Sequence, residues 1–304
     1  MKRICVLGSG SKGNCTFIES GTTRILIDAG LSAIQIENRL ESIGVAAQTI
    51  QAICITHDHV DHYQGARVFC NRWGAHLYAN RKTMQGIIAS HASFSGLNWH
   101  SFQTNESFRI GSIGIYSFHI SHDASDPVGF ILTLGSTRIG FCTDLGTVTE
   151  SVYEALEPCE VVVLESNHDP RMLAASARPE ANKQRIAGKR GHLSNQESAQ
   201  LAVRLAKAGN LKRVYLAHLS EECNRESIAR QTLSSAFRKN GISGVEICMT
   251  HQRKKALVWN SGKTEKKSGT EIQPRKRKIS KKQNFRKKAK IHPVKSFFDW
   301  LFTA

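Results

Sequence analysis

Six consecutive residues, His57-Asp58-His59-Val60-Asp61-His62, put three imidazoles and two carboxylates into one short stretch. Neutral imidazole and carboxylate are the donors that zinc, manganese and iron take, so the stretch points to metal-assisted chemistry. In an extended segment, side chains two apart point the same way, and His57 and His59 can converge on one cation. Asp61 and His62 follow where the chain would turn into a helix, and can face a second cation. The preceding Ala52-Ile53-Cys54-Ile55-Thr56 is apolar and β-branched, and reads as a buried strand whose end is a rigid place to hang ligands.

The pattern H-x-H-x-D-H resembles the metallo-β-lactamase fold of metal-dependent hydrolases, an α/β architecture of the αββα sandwich type. That resemblance implies an upstream Asp and a downstream His, Asp and His drawn to the same centre. Asp28, closing the strand Arg24–Asp28, stands where the upstream Asp is expected, to orient ligands by hydrogen bonds. Either His119 or His122 could be the next imidazole. His119 sits in the alternating strand Ile115-Tyr116-Ser117-Phe118, whereas His122 lies just past its end, as a ligand should, and is preferred. Asp144 follows another strand end and is placed to bridge two ions; His218 follows the strand Arg213–Ala217.

These positions need a scaffold, and the pattern of apolar residues supplies one. Ile4–Leu7, Asn14–Glu19 and Arg24–Asp28 read as three strands joined by tight turns, a meander. The intervening Gly8-Ser9-Gly10-Ser11-Lys12-Gly13 is formally G-x-G-x-x-G. A dinucleotide fold would need those glycines to open a helix, and a strand follows instead. They read better as a loop whose backbone comes close to the metal centre. Helices are expected over Ser32–Ile43, Gln64–Trp73, Lys82–Ala89 and Asn224–Phe237, and after Ser194. Ser32 with Gln35, and Ser194 with Glu197, have the spacing of capping boxes. Strands are expected at His76–Ala79, within Phe108–His119, at Val128–Leu134, Thr137–Phe141 and Val161–Leu164, and near Val245 and Ala256. His76, His91 and His100 are isolated and read as surface or core histidines.

Further stretches carry a closer resemblance over residues 1 to about 260: Gly8 to Cys15, Ser121-His122-Asp123-Ala124, Thr143-Asp144-Leu145-Gly146, Glu165-Ser166-Asn167-His168-Asp169, Gly191-His192-Leu193-Ser194-Asn195 and His218-Leu219-Ser220. Together they are similar to the YycJ/WalJ-like exonuclease group, members of which are described as 5′-to-3′ double-strand DNA exonucleases. Carried over by motif, His57, His59 and His122 would hold one divalent ion, zinc or manganese. Asp61, His62 and His218 would hold a second, with Asp144 shared. Asp61 could accept a proton from the nucleophile and His192 could protonate the leaving oxygen. Asn14, Asn167, His168 and Ser220 are expected to contact substrate. The interval from Asp144 to His218 has no room for the large cap domain of RNA-processing relatives. The rival reading on this fold is a small-molecule hydrolase of a cyclic phosphodiester, lactone or thioester.

Charge favours the polyanion. The 304 residues carry 42 Lys/Arg against 25 Asp/Glu, a formal +17. Residues 261–304 hold 14 Lys/Arg and 3 Asp/Glu, so +11 sits on this end and +6 on the body. The end reads as a disordered DNA tether, closed by Phe297-Phe298-Asp299-Trp300-Leu301-Phe302, which could dock on a protein or an anionic membrane surface. The eight cysteines form no C-x-x-C pair and lie in apolar runs, which suits a reducing, cytoplasmic setting. Met1–Leu7 begins like a signal peptide but breaks at Gly8, too early for an apolar h-region.

Overall fold

The meander forms first in the chain and anchors one sheet. Strands β1 (Lys2–Gly8), β2 (Cys15–Ser20) and β3 (Thr23–Ile27) pair antiparallel. From β3 the sheet continues in parallel through β4 (Ala52–Cys54), β5 (His76–Asn80) and β6 (Trp99–Phe102). The computed structural model describes residues 1–256 and 258–260. The expected tether and the Phe297–Phe302 end lie outside the described residues.

The second sheet repeats the plan. Strands β7 (Ser107–Ile110), β8 (Ile113–His119), β9 (Val128–Leu134) and β10 (Thr137–Cys142) run antiparallel; β11 (Val161–Glu165), β12 (Arg213–Ala217) and β13 (Glu246–Met249) extend it in parallel. A short β14 (Trp259–Asn260) returns to pair with β1. Among the described residues each sheet thus has seven strands.

Ile4, Val6, Ile25 and Ile27 of one sheet pack against Phe130, Leu132, Ile139, Val163 and Tyr215 of the other. On the outer face of the first sheet lie helices α1 (Ala33–Glu41), α3 (Ala66–Trp73) and α4 (Arg81–Ser90), burying Ile36, Leu40, Phe69 and Ile87. On that of the second lie α5 (Glu150–Leu156), α8 (Asn195–Lys207) and α9 (Glu226–Lys239), burying Leu156, Leu201, Leu205 and Leu233. The result is the four-layer αββα sandwich. Both capping boxes form, Ser32 with Gln35 and Ser194 with Glu197. All eight cysteines are buried. Among the described residues no helix is long and apolar enough to cross a membrane.

The helix expected over Gln64–Trp73 forms from Ala66 to Trp73, and a separate short helix precedes it. A four-residue α2 (Val60–Tyr63) begins inside the metal motif, and α3 starts after Gly65. Gly65 passes so close to the preceding loop that a Cβ there would sit 1.9 Å from the Leu31 carbonyl oxygen, and its N–H bonds the Ala29 carbonyl at 2.9 Å. The break keeps α2, and with it Asp61 and His62, pressed against the Asp28 loop.

A candidate metal centre at the strand ends

Parallel pairing brings the carboxyl ends of β3 and β4, and of β10, β11 and β12, to one edge, where open α/β sheets bind ligands. Asp28 follows β3, His57 follows β4, Asp144 follows β10, Glu165 closes β11 and His218 follows β12. Asp28, Asp144 and His218 adopt left-handed backbone angles, with φ of 59°, 58° and 55°. Outside glycine such angles cost on the order of 1–3 kcal/mol each and collect at functional sites. Here they turn three side chains sharply off their strands toward one point.

The donors meet in overlapping groups. Atoms of His57, His59 and His122 lie within 4.8 Å of one another, as do those of Asp61, His62 and His218, and those of His57, His62 and Asp144. Asp144 Oδ1 lies 3.3 Å from His218 Nδ1 and 3.9 Å from His122 Nε2, while Oδ2 lies 3.3 Å from His62 Nε2. That carboxylate therefore touches both groups. His119 stays out on the surface beside Asp126, 3.7 Å away; His122 joins the cluster.

A metal fits this cradle. His57 Nε2, His218 Nε2 and Asp144 Oδ2 are buried with no hydrogen-bond partner among the described residues. Orphaned buried polar atoms are costly, and a divalent cation would satisfy all three. The electrostatics agree. Burial pushes the His57 and His122 imidazoles below the ordinary histidine range, keeping them in the neutral, ligating form. Burial acts the same way on His62 and His218. There the carboxylates prevail, chiefly Asp28 and Asp144 at His62 and Asp144 at His218, and both rise well above the usual value. Two imidazoles drawn toward a positive charge amid buried carboxylates mark a place built for cations.

A second layer holds the donors in orientation. Asp28 Oδ2 is 2.7 Å from His62 Nδ1, and its Oδ1 accepts from the Thr56 N–H at 2.8 Å. His122 Nδ1 lies 3.1 Å from the Gly191 carbonyl. Glu165, fully buried, has Oε1 2.9 Å from His192 Nδ1 and 2.8 Å from His218 Nδ1. Its Oε2 accepts from the Leu145 and Leu193 N–H groups at 2.7 and 3.2 Å. The sequence displays Glu165 in a polar cluster at a strand end but gives no sign that it couples two histidines. Asp123, within the Ser121–Ala124 stretch, likewise shows no role in the sequence: its Oδ1 lies 3.4 Å from His122 Nε2, and its Oδ2 accepts from the Arg185 guanidinium at 2.6 Å.

The other expected site residues divide by exposure. Asp61 and His192 stand at the rim, with side chains 26% and 13% exposed, where a substrate can reach them. Asn14 is buried and ties the glycine loop to the motif, its Nδ2 3.3 Å from Asp61 Oδ2 and 3.1 Å from His62 Nε2. Asn167 donates to the His218 carbonyl at 2.9 Å. Ser220 is half-buried and lines a cavity of about 580 Å³ with Ser9, Arg225 and His251. His168 is buried and lines a different cavity of about 460 Å³ with Lys183 and Glu197.

Comparison with known proteins agrees with this architecture. The Beta-lactamase superfamily domain matches residues 23–219. Exodeoxyribonuclease WalJ of Streptococcus pneumoniae is 34% identical over 233 residues, 76% of this chain and 86% of that protein. Exodeoxyribonuclease YycJ of Bacillus anthracis is 30% identical over 246 residues, 81% and 93% of the respective chains. Among solved structures, the metallo-beta-lactamase fold protein YhfI of Bacillus subtilis superposes with a TM-score of 0.63 at 18% identity, covering 85% of this chain and 98% of its own. With its donor cradle at the strand ends, this chain is a metal-dependent hydrolase of the β-lactamase superfamily and belongs, within it, to the family of the WalJ and YycJ exodeoxyribonucleases.

Proposed function

We propose that the chain is a DNA exonuclease that degrades duplex DNA in the 5′-to-3′ direction with two divalent ions, zinc or manganese. The observation that carries the reading is the position of Asp144, one carboxylate shared between a three-histidine group and an Asp61-His62-His218 group. His57, His59 and His122 would hold one ion, and Asp61, His62 and His218 the other. When bound, the pair would neutralise charge on the phosphate and lower the pKa of a nucleophilic water.

The remaining chemistry belongs to side chains at the rim. Asp61 would accept the proton that water releases as its oxygen forms a bond to phosphorus. His192 would give a proton to the oxygen that departs when the old P–O bond breaks. Its Nδ1 is held by Glu165 at 2.9 Å, which leaves Nε2 for that transfer. Asn14, Asn167, His168 and Ser220 are proposed to support substrate binding, Asn14 and Asn167 through the ligand loops they brace. The polycationic residues 261–304 would add non-specific affinity for the DNA backbone.

The test is digestion of end-labelled duplexes bearing 5′-phosphate, 5′-hydroxyl or blocked ends, with Zn²⁺ or Mn²⁺ added after chelation. Sequential release of label from the 5′ end supports the reading. Hydrolysis of cyclic phosphodiesters, lactones or thioesters with no action on DNA would replace it with the small-molecule alternative.

A further inference from the structure

Between β11 and α8 the chain leaves the sandwich in a 22-residue excursion, 169–190, built from two short helices, α6 (Pro170–Ala175) and α7 (Glu180–Ala187). It carries six cations (Arg171, Arg178, Lys183, Arg185, Lys189 and Arg190) against two acids, Asp169 and Glu180. Its apolar anchor is small, a cluster of Leu173, Ile186 and Cys223.

The end of this excursion is wedged between two ligand loops. The Lys189 carbonyl accepts from Ser121 Oγ at 2.7 Å and from Thr147 Oγ1 at 3.0 Å. The Arg190 guanidinium donates to the His122 carbonyl at 3.2 Å. Gly146, two residues past Asp144, packs so closely that a Cβ would meet the Lys189 carbonyl oxygen at 2.5 Å. The 185–190 end of the excursion is therefore fixed at the lip of the cradle, on the side of His122 and Asp144.

Two of its cations are spent within the fold, Arg178 on Glu222 at 2.8 Å and Arg185 on Asp123 at 2.6 Å. Arg171 and Lys189 are exposed, and their charged groups meet no acid among the described residues. Lys183 and Arg190 reach only backbone carbonyls. Four uncompensated cations on a braced lip beside a phosphodiester-cleaving centre match a polyanion crossing that lip.

Resting on the nuclease reading above, we infer that the 169–190 excursion is a phosphate-gripping lip: Arg171, Lys183, Lys189 and Arg190 hold the DNA backbone that continues beyond the scissile bond, in place of a cap domain. The lip sets affinity and register on the duplex and leaves the chemical step to the cradle.

The experiment measures kcat and kcat/KM on a 5′-phosphorylated duplex over a KCl series, in Mn²⁺, with bis(p-nitrophenyl) phosphate turnover reporting the integrity of the centre. Arg171→Gln/Lys189→Gln is compared with Lys207→Gln/Lys239→Gln, which removes equal charge from the far ends of α8 and α9. Each lost phosphate contact should reduce the slope of log(kcat/KM) against log[KCl] by about 0.9, so the lip variant should lose about 1.8. Its kcat and its turnover of the small diester should stay at wild-type levels, and the α8/α9 variant should keep the full slope. A lip variant with the wild-type slope, or an equal loss in the α8/α9 variant, overturns the lip. A wild-type chain that hydrolyses the small diester but not duplex DNA overturns the nuclease reading and the lip together.

Discussion

Glu165→Gln is the most demanding perturbation of the site, because it changes shape hardly at all. The carboxylate accepts four hydrogen bonds in full burial, two from His192 and His218 through Oε1 and two from backbone N–H groups through Oε2. An amide offers one oxygen and one NH₂. If the NH₂ faces Leu145 and Leu193, two backbone donors lose their acceptor, at about 1–3 kcal/mol each. If it faces the histidines, each Nδ1 must become an acceptor and the proton moves to Nε2. At His218 that atom is the orphan aimed at the proposed ion, and a protonated nitrogen cannot ligate. Loss of such an orienting partner typically lowers metal affinity by about 10–100-fold. At His192 the imidazolium that would give the proton loses its carboxylate partner, and loss of a positioned proton donor typically lowers turnover by about 10²–10⁴-fold. Metal content after dialysis against graded chelator reads the first effect, and kcat on labelled duplex at saturating metal reads the second. A variant that holds metal and turns over like wild type would show that Glu165 orients neither histidine.

Asp144→Asn and His59→Ala should each abolish hydrolysis while duplex binding, followed by fluorescence anisotropy, survives; wild-type turnover in either would refute the cradle. Asp28→Asn should weaken metal retention by about 10–100-fold through misorientation of His62, read by the same chelator titration. Ser194→Ala removes the capping side chain of α8 and should cost about 1 kcal/mol in urea unfolding. Glu19 lies between Arg3 and Arg24, the latter at 2.7 Å; burial raises its pKa, but the two guanidiniums outweigh burial and hold it below the usual carboxylate value. Its contribution is therefore complete above the ordinary carboxylate range and lost as pH falls through the lowered value. Thermal melts of wild type and Glu19→Gln should differ at neutral pH and converge in acid.

Legibility in the sequence followed how local the physics is. The strand Arg213–Ala217 and both capping boxes needed only neighbours three or four residues away, and they stand at the expected positions. The αββα architecture came through the resemblance carried by His57–His62 and the strand-end motifs. Helix α5 went unread because seven residues with Val152 and Leu156 buried make too short a stripe to register. Strand β6 went unread because four residues with Trp99 and His100 half-exposed show no alternation. Helices α6 and α7 bury one residue apiece, Leu173 and Ile186, so no periodicity marks them. The division of α2 from α3 depends on Gly65 touching a loop more than thirty positions earlier, and the roles of Glu165 and Asp123 depend on partners brought in by distant elements. Contacts of that range leave no trace in spacing.

In the proposed centre two cations are held by seven side chains drawn from four separate segments of the chain. Anomalous diffraction from crystals grown with Zn²⁺ or Mn²⁺ tests this most directly. Two peaks are expected, one among His57, His59 and His122, the other among Asp61, His62 and His218, with Asp144 reaching both. A single peak, or none inside the cradle, would contradict it.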